Sequence, residues 1–264
     1  MSRIHPTAIV DPKARLADGV EVGPFCVIGP TVRIGAKTWI GSHVVIEGDT
    51  RIGSGNRIFH HAVIGSLPQD KMFHGEESRL EIGDGNVIRE FVTIQPGTAK
   101  QDGVTRVGSG NWFLTGVHIA HDCAVGDETT FSNWTSLAGH VEVASHASLS
   151  AYVGIHQFCR IGRYAMVGGA SVVIQDVPPF VLAQGDHARL RGLNRVGLRR
   201  AKVDDDRINA IAETYRKLFR SEGALQTRLK AAQATADPWA LEMVEFAAVS
   251  KRGICRHGKE SPEP

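Results

Sequence analysis

Aromatic residues make up only 6% of this 264-residue chain, so aliphatic side chains must fill any core it builds. Charge of one sign is not in excess either. The formal net charge of +2 gives no basic field of the kind that gathers nucleic acid, and no nucleic-acid partner is expected. No apolar run approaches the length of a membrane span. The opening MSRIHPTAIVDPKARLADG has no apolar centre like that of a secretory signal, so a soluble cytoplasmic protein is expected. The four cysteines, Cys26, Cys123, Cys159 and Cys255, form no CxxC pair, which argues against a zinc ribbon or a redox motif. The first three fall at one repeating position of the array described next, as small apolar core residues do.

What the chain does have is a period of six. From Ile4 to Ile64 every sixth residue is aliphatic; the rhythm resumes at Ile82, Ile88 and Ile94. After a shift of one residue it runs again from Val107 to Val173, for 26 hits in all. Glycine often follows the large residue, and a small or medium residue sits two places before it, as at Ala8, Cys26 and Val44. No α-helix has this period. Short strands ended by turns do, with the large residue and the one two before it facing the same way. Three hexads, 18 residues, close one triangular coil, and coils stack at about 4.8 Å. Nearly nine coils make a prism roughly 40 Å tall. The fold class expected is an all-β parallel β-helix of hexapeptide repeats, followed by a small α-helical C-terminal domain.

Two segments break the rhythm, 66–79 (SLPQDKMFHGEESR) and 95–106 (QPGTAKQDGVTR), and both read as loops thrown out from the coils. The repeat is expected to stop at Pro178-Pro179. The domain boundary is set at 185/186, with 1–185 as the prism and 186–264 as the helical domain. In the latter, DDDRINAIAETYRKLFRSEG places Ile208, Ile211, Ala212, Tyr215, Leu218 and Phe219 on one face. A second helix is expected over 223–234, and a third opens with Asp237 as N-cap and Pro238 at its first position. The final HGKESPEP reads as disordered.

An 18-residue coil predicts neighbours. His121 stacks with Gly139 and Gln157, Asp122 with His140, and Ala120 and Ala138 with His156. GVHIAHDC, LAGHVEV and GIHQFC therefore project onto one patch, bringing together His118, His121, His140 and His156, with the 95–106 loop leaving the coil just before it. Three readings stand open for this cluster. Histidines can be surface filler in β-helix turns. Imidazoles suit zinc, as in hexapeptide-repeat carbonic anhydrases, although their spaced pattern is not matched here. A histidine can be a general base, oriented by a carboxylate, beside backbone N–H groups that stabilise an oxyanion. Contact between His121 and its neighbour Asp122 requires a turn, since adjacent strand residues point to opposite faces.

The motifs HIAHDC (118–123), LAGH (137–140), HQFCRIG (156–162), MVGG (166–169) and DVPPFVLAQGDH (176–187) closely resemble the UDP-N-acetylglucosamine O-acyltransferases. The resemblance covers essentially the whole chain. It implies a left-handed coil and a homotrimer with sites in clefts between adjacent prisms. It implies transfer of an (R)-3-hydroxyacyl group from acyl carrier protein to the glucosamine 3-position, the first step of lipid A synthesis. No metal or dissociable cofactor is implied, because the pantetheine arm belongs to the carrier. By this resemblance His121 is the general base, Asp122 orients it, and the Gly139 N–H stabilises the oxyanion. Gln69, Asp70, Met72, Gln95, His118, His140, His156 and Gln157 match acceptor- or substrate-binding positions, and Asn194 and Arg200 match nucleotide contacts. Met166 and Gly169 match positions that set acyl-chain length, with glycine implying a chain of about twelve to fourteen carbons.

Three departures matter. Met72 stands where the family usually has lysine, Gln95 where it has histidine, and Val196 where it has glutamate. The first two each remove a potentially cationic donor near the acceptor sugar. A 3-amino sugar nucleotide would be cationic before reaction, and neutral neighbours would suit it, so the 3-amino analogue is a candidate acceptor, giving an amide. A sister family that N-acylates the next intermediate carries an N-terminal uridine-binding domain, which is not expected here because the hexads begin at Ile4. The basic run Arg189, Arg191, Arg195, Arg199, Arg200 and Lys202 reads either as a solvated face or as a dock for the acidic carrier protein or the diphosphate.

Overall fold

The computed structural model describes residues 2–234 and 237–257. Most of the HGKESPEP segment, 258–264, lies outside the described residues. The 26 hexad positions are the second residues of regular strands, or the last residues of the three four-residue ones, from Arg3–Ile4 to Val172–Val173. Most strands are only two residues long, one facing out and one in: Val27 is exposed and Ile28 buried, Arg33 exposed and Ile34 buried. These strands fall into three parallel sheets, each pairing every third strand of the chain, which is the left-handed parallel β-helix of triangular section. Most partners lie 18 residues apart, as Ser136 with Gly154. The two excursions stretch this to 30 between Arg57 and Val87 and 25 between Thr93 and His118. A one-residue shift of phase in the sequence is the net trace of these insertions.

The three corners differ in chemistry. We call them by the sheets they join: first (the sheet of Arg3–Ile4) to second (that of Ile9–Val10), second to third (that of Arg15–Leu16), and third to first. Corner residues take a left-handed conformation, with φ of +58° at Phe25 and His43 and +62° at His61, Asp122 and His140. For residues other than glycine this costs about 1–2 kcal/mol each, and ring stacking along the corner offsets part of it. At the first-to-second corner Phe25, His43, His61 and Phe91 stack with centroids 5.0, 4.9 and 5.1 Å apart. Inside the third-to-first corner a polar ladder runs instead. The Asn56 Oδ1 accepts from the Asn86 N–H at 2.8 Å, the Asn86 Oδ1 from Asn111 at 2.9 Å, and the Asn111 Oδ1 from Thr129 at 2.8 Å. These buried amides replace the small apolar residue of the hexad at no unpaired backbone donor. Where the coil bends after the large residue, glycine is required by close approach: a Cβ on Gly53 would stand 2.7 Å from the Gly83 carbonyl oxygen.

The end of the prism departs from the sequence reading in two ways. Parallel pairing continues past Pro178-Pro179, though not the 18-residue spacing: Val181–Gln184 pairs in parallel with Met166–Val167, with Met166 opposite Leu182. Arg189–Leu193, expected within the helical domain, is a strand that returns antiparallel on Val181–Gln184. Its sequence RLRGL alternates, with Leu190 buried between exposed arginines, and the last edge of the first sheet offers it backbone partners. Helical structure begins at α1 (Arg195–Arg200), followed by α2 (Asp205–Tyr215), α3 (Leu225–Ala232) and α4 (Pro238–Ala248). Ile208, Ile211, Tyr215 and Leu218 are buried on the face the spacing predicts, though the last turn, Arg216–Arg220, widens to a π-helix. Asp237 caps α4, accepting from the Trp239 and Ala240 N–H groups, with Pro238 in the first turn. α4 seats on the prism through Arg163, which is bidentate to Glu242 and lies 4.0 Å over the Trp239 ring. No described helix is long and apolar enough to cross a membrane.

Candidate active site

The second-to-third corner carries HIAHDC. Asp122 occupies the left-handed position there, φ +62°, and this single residue supplies the turn that contact with His121 needs. The His121 Nδ1 and Asp122 Oδ2 lie 2.8 Å apart. Asp122 is only 3% exposed, and among the described residues no arginine or lysine pairs with it; its donors from the loop are neutral. The Thr98 N–H donates to Oδ1 at 2.7 Å and the Thr98 hydroxyl to Oδ2 at 2.7 Å. The Asp122 N–H itself donates to the Thr105 Oγ1 at 2.8 Å. Thr98 and Thr105 belong to the second excursion and the strand after it, so this loop is hung directly on the dyad. Thr98 was not singled out from the sequence; only the fold shows that a loop threonine 24 residues upstream meets the aspartate.

Gly139 lies one coil above His121. A Cβ on Gly139 would stand 2.5 Å from the His121 Cε1 and 2.8 Å from its Nε2, so only glycine fits beside the ring. Among the described residues, the Gly139 N–H has no acceptor. His140 meets His121 edge-on, centroids 5.3 Å apart, stacks on Phe158 and has its Nδ1 3.0 Å from the Gln101 Oε1 and its Nε2 3.6 Å from the Asp122 Oδ2. Burial lowers its pKa, the Asp122 charge opposing, which favours the neutral ring. His118 bonds to the Thr93 hydroxyl at 2.7 Å, and burial, then His121, lower its pKa too. Cys123, beside the dyad, is pushed up to about 12 by burial and is an unreactive core thiol.

The first excursion folds over the same corner. The Lys100 ammonium pairs with Asp70, and this bond, with the Met72 N–H, holds the Asp70 carboxyl below its usual range. Met72 is 62% exposed. Gln95 is only 4% exposed, and both ends of its amide hold the loop: Oε1 accepts from the Gln69 N–H at 3.1 Å and Nε2 donates to the Leu67 carbonyl at 3.4 Å. His156 and Gln157 are exposed at the top of the corner.

Asn194 and Arg200 are not brought to this corner. Asn194 caps α1 through Gly197 at 3.0 Å and donates to the Tyr164 carbonyl at 3.0 Å, beside the third-to-first corner. Arg200 is exposed in the last turn of α1. Arg191 and Arg195 of the basic run line a cavity of about 840 Å³ between the hairpin and α2, shared with Glu213, Arg216 and Arg220. Met166 faces out of the first sheet, and Gly169 is exposed at the first-to-second corner, where a Cβ would meet the Ala151 oxygen at 3.4 Å and the Ser150 Cβ at 3.9 Å, ordinary contacts.

His121, Asp122 and His140 each offer an atom within 4.8 Å of the others, a spacing a metal ion could span. The donor set fits poorly: both Asp122 oxygens already accept short hydrogen bonds from Thr98, and Oδ2 also meets His121.

A family model described as UDP-N-acetylglucosamine O-acyltransferase, domain 2, matches residues 176–255. An acyl-[acyl-carrier-protein]–UDP-N-acetylglucosamine O-acyltransferase of Thiobacillus denitrificans is 49% identical over 97% of this chain and 100% of its own length. The protein of that name from Alkalilimnicola ehrlichii is 51% identical with the same coverage. The solved UDP-N-acetylglucosamine acyltransferase of Francisella novicida superposes with a TM-score of 0.94 at 39% identity, covering 97% of this chain and 95% of that one. With such identity sustained over both the prism and the helices, the chain belongs to the acyl-[acyl-carrier-protein]–UDP-N-acetylglucosamine O-acyltransferase family.

Proposed function

We propose that this protein transfers an (R)-3-hydroxyacyl group from acyl carrier protein to the 3-hydroxyl of UDP-N-acetylglucosamine, with His121 as general base. The observation that carries this reading is the adjacency of the His121 ring, hydrogen-bonded through Nδ1 to a buried carboxylate, and the acceptor-free N–H of Gly139. With Nδ1–H donated to Asp122, the Nε2 lone pair is left to take the sugar hydroxyl proton. The oxygen attacks the thioester carbonyl carbon, and the Gly139 N–H donates to the oxyanion that forms. Collapse breaks the carbon–sulfur bond, and the leaving pantetheine thiolate takes the proton from the His121 Nε2. No metal or dissociable cofactor enters. Gln69, Asp70, His118, His140, His156 and Gln157 surround the acceptor. Asn194 and Arg200, distant within one chain, serve the nucleotide in the cleft of a homotrimer. The basic cavity beside Arg191 and Arg195 suits the acidic carrier. Gly169, with Met166, limits the acyl chain.

The test is transfer from a panel of 3-hydroxyacyl carrier proteins to UDP-N-acetylglucosamine, with His121→Ala as control. Undiminished transfer by that variant overturns the reading. Met72 supports a second acceptor. It puts a neutral side chain on the loop that carries the anionic Asp70, where a 3-amino sugar nucleotide would keep its cationic amine. Competition between the two acceptors at equal concentration decides, and strong preference for the 3-hydroxyl sugar rejects the amide product.

A further inference from the structure

The far end of the chain returns to the site. After α4 the backbone turns at Gly253, φ +76°, and Ile254 pairs with Asp176 next to the last coil. The Asp176 N–H donates to the Gly253 carbonyl at 2.8 Å, the Cys255 N–H to the Asp176 carbonyl at 2.9 Å, and the Ser250 hydroxyl to the Asp176 carboxylate at 2.7 Å. This docking delivers Arg252, 96 residues beyond His156 in sequence, to the histidine ring. The Arg252 Nη2 lies 3.1 Å from the His156 Nδ1 and 3.1 Å from the Ile174 carbonyl oxygen. The Arg252 Nε is buried without a hydrogen-bond partner among the described residues, a cost that solvated arginines avoid.

We propose that Arg252 is a positioning residue that fixes the tautomer of His156. A guanidinium only donates, so its contact with Nδ1 requires that nitrogen to be an unprotonated acceptor. The ring proton then sits on Nε2 of this exposed residue, ready to donate to an oxygen of the bound substrate. A competing arrangement lies within reach of the same ring. The Gln157 carbonyl oxygen lies 3.2 Å from the same Nδ1 and would accept a proton from it in the other tautomer, leaving Nε2 bare. Arg252 removes that alternative. Orientation is fixed together with protonation, because the guanidinium is itself tied to the Ile174 carbonyl. The inference rests on the reading of His156 as a substrate-binding residue for its consequence in turnover, but not for the tautomer itself.

The experiment has two arms. In ¹⁵N-histidine-labelled full-length enzyme without substrate, with His156→Ala supplying the assignment, His156 shows a single Nε2–H tautomer in the wild type. In Arg252→Met it becomes a mixture of the two. In steady-state transfer, Arg252→Met raises the KM for UDP-N-acetylglucosamine about tenfold, the loss of one charge-assisted hydrogen bond, with a smaller change in kcat. Arg252→Lys, which keeps a cationic donor, restores the single tautomer and most of the KM, and it carries the test if Arg252→Met does not fold. A His156 tautomer unchanged in folded Arg252→Met, or a mixture in folded Arg252→Lys, overturns the proposal. Wild-type transfer by His156→Ala instead overturns the substrate-binding reading alone, since the spectrum still judges Arg252.

Discussion

Histidines in the same left-handed backbone conformation stand at more than one corner of the prism, and the first-to-second and second-to-third corners surround such a ring very differently. At the first-to-second corner, His43 and His61 sit between Phe25 and Phe91 in an exposed stack, at φ near +60°. At the second-to-third corner, His140 takes the same φ and also stacks, on Phe158. The difference lies in what surrounds the ring. The second corner has a buried carboxylate in the chain next to His121, a glycine where any Cβ would strike the imidazole, and two excursions folded over it. A left-handed corner is therefore a structural slot that tolerates a flat ring. It becomes a site when a neighbouring strand end and a loop are shaped to that ring.

The sharpest way to break this contrast is to remove one ring from each corner. His121→Ala is expected to lower transfer by about 10³-fold, the usual reach of a lost general base, whereas His43→Ala leaves it unchanged. Rates on acyl carrier protein substrates measure both; equal losses would mean the corners do not differ in kind. Gly139→Ala tests the shaping of the ring's slot. A Cβ 2.5 Å from the His121 Cε1 must displace the imidazole or the strand, and kcat should fall about 10²-fold in a protein that still folds. Thr98→Val removes one of the two Thr98 bonds to Asp122, the hydroxyl one, and is expected to cost about tenfold in kcat. The smallest effect is on stability. Burial lowers the pKa of His118 and His140 in the fold, so between the folded and unfolded values the unfolded chain binds more protons. Stability is then full above the unfolded value, near pH 6.5, and is lost as pH falls through the folded values. Thermal melting between pH 7 and pH 5 should show this acid slope. His118→Asn with His140→Asn should flatten it.

The coil was legible because its rule is local. Each hexad needs one large inward side chain, and every sixth residue reports it, so Ile4 to Val173 map onto strands without a miss. The stacking of Asp122 with His140 and of Gly139 on His121 followed from the same arithmetic. The hairpin of Val181–Gln184 and Arg189–Leu193 was not legible, because its second strand forms only where the edge of the prism provides a partner. Gln95 shows the other limit. By resemblance it matches a substrate-binding position where the family usually has histidine; in the fold its amide is buried and bonded to the backbone at Gln69 and Leu67, which the sequence did not show. Asn194 likewise reads as a ligand by resemblance, while in the chain it caps α1.

By itself, then, the sequence determined the prism, its coil count, the two excursions and the corner that gathers HIAHDC and LAGH, because periodic burial converts spacing directly into neighbourhood. The tertiary structure alone decided which groups complete that corner. Thr98 reaches Asp122 across a loop and Arg252 reaches His156 from the end of the chain, and no period links them to their partners. Hydrogen bonds between segments of unrelated register depend on where loops and tails dock. That docking is set by packing and backbone pairing over the whole fold rather than by any repeat.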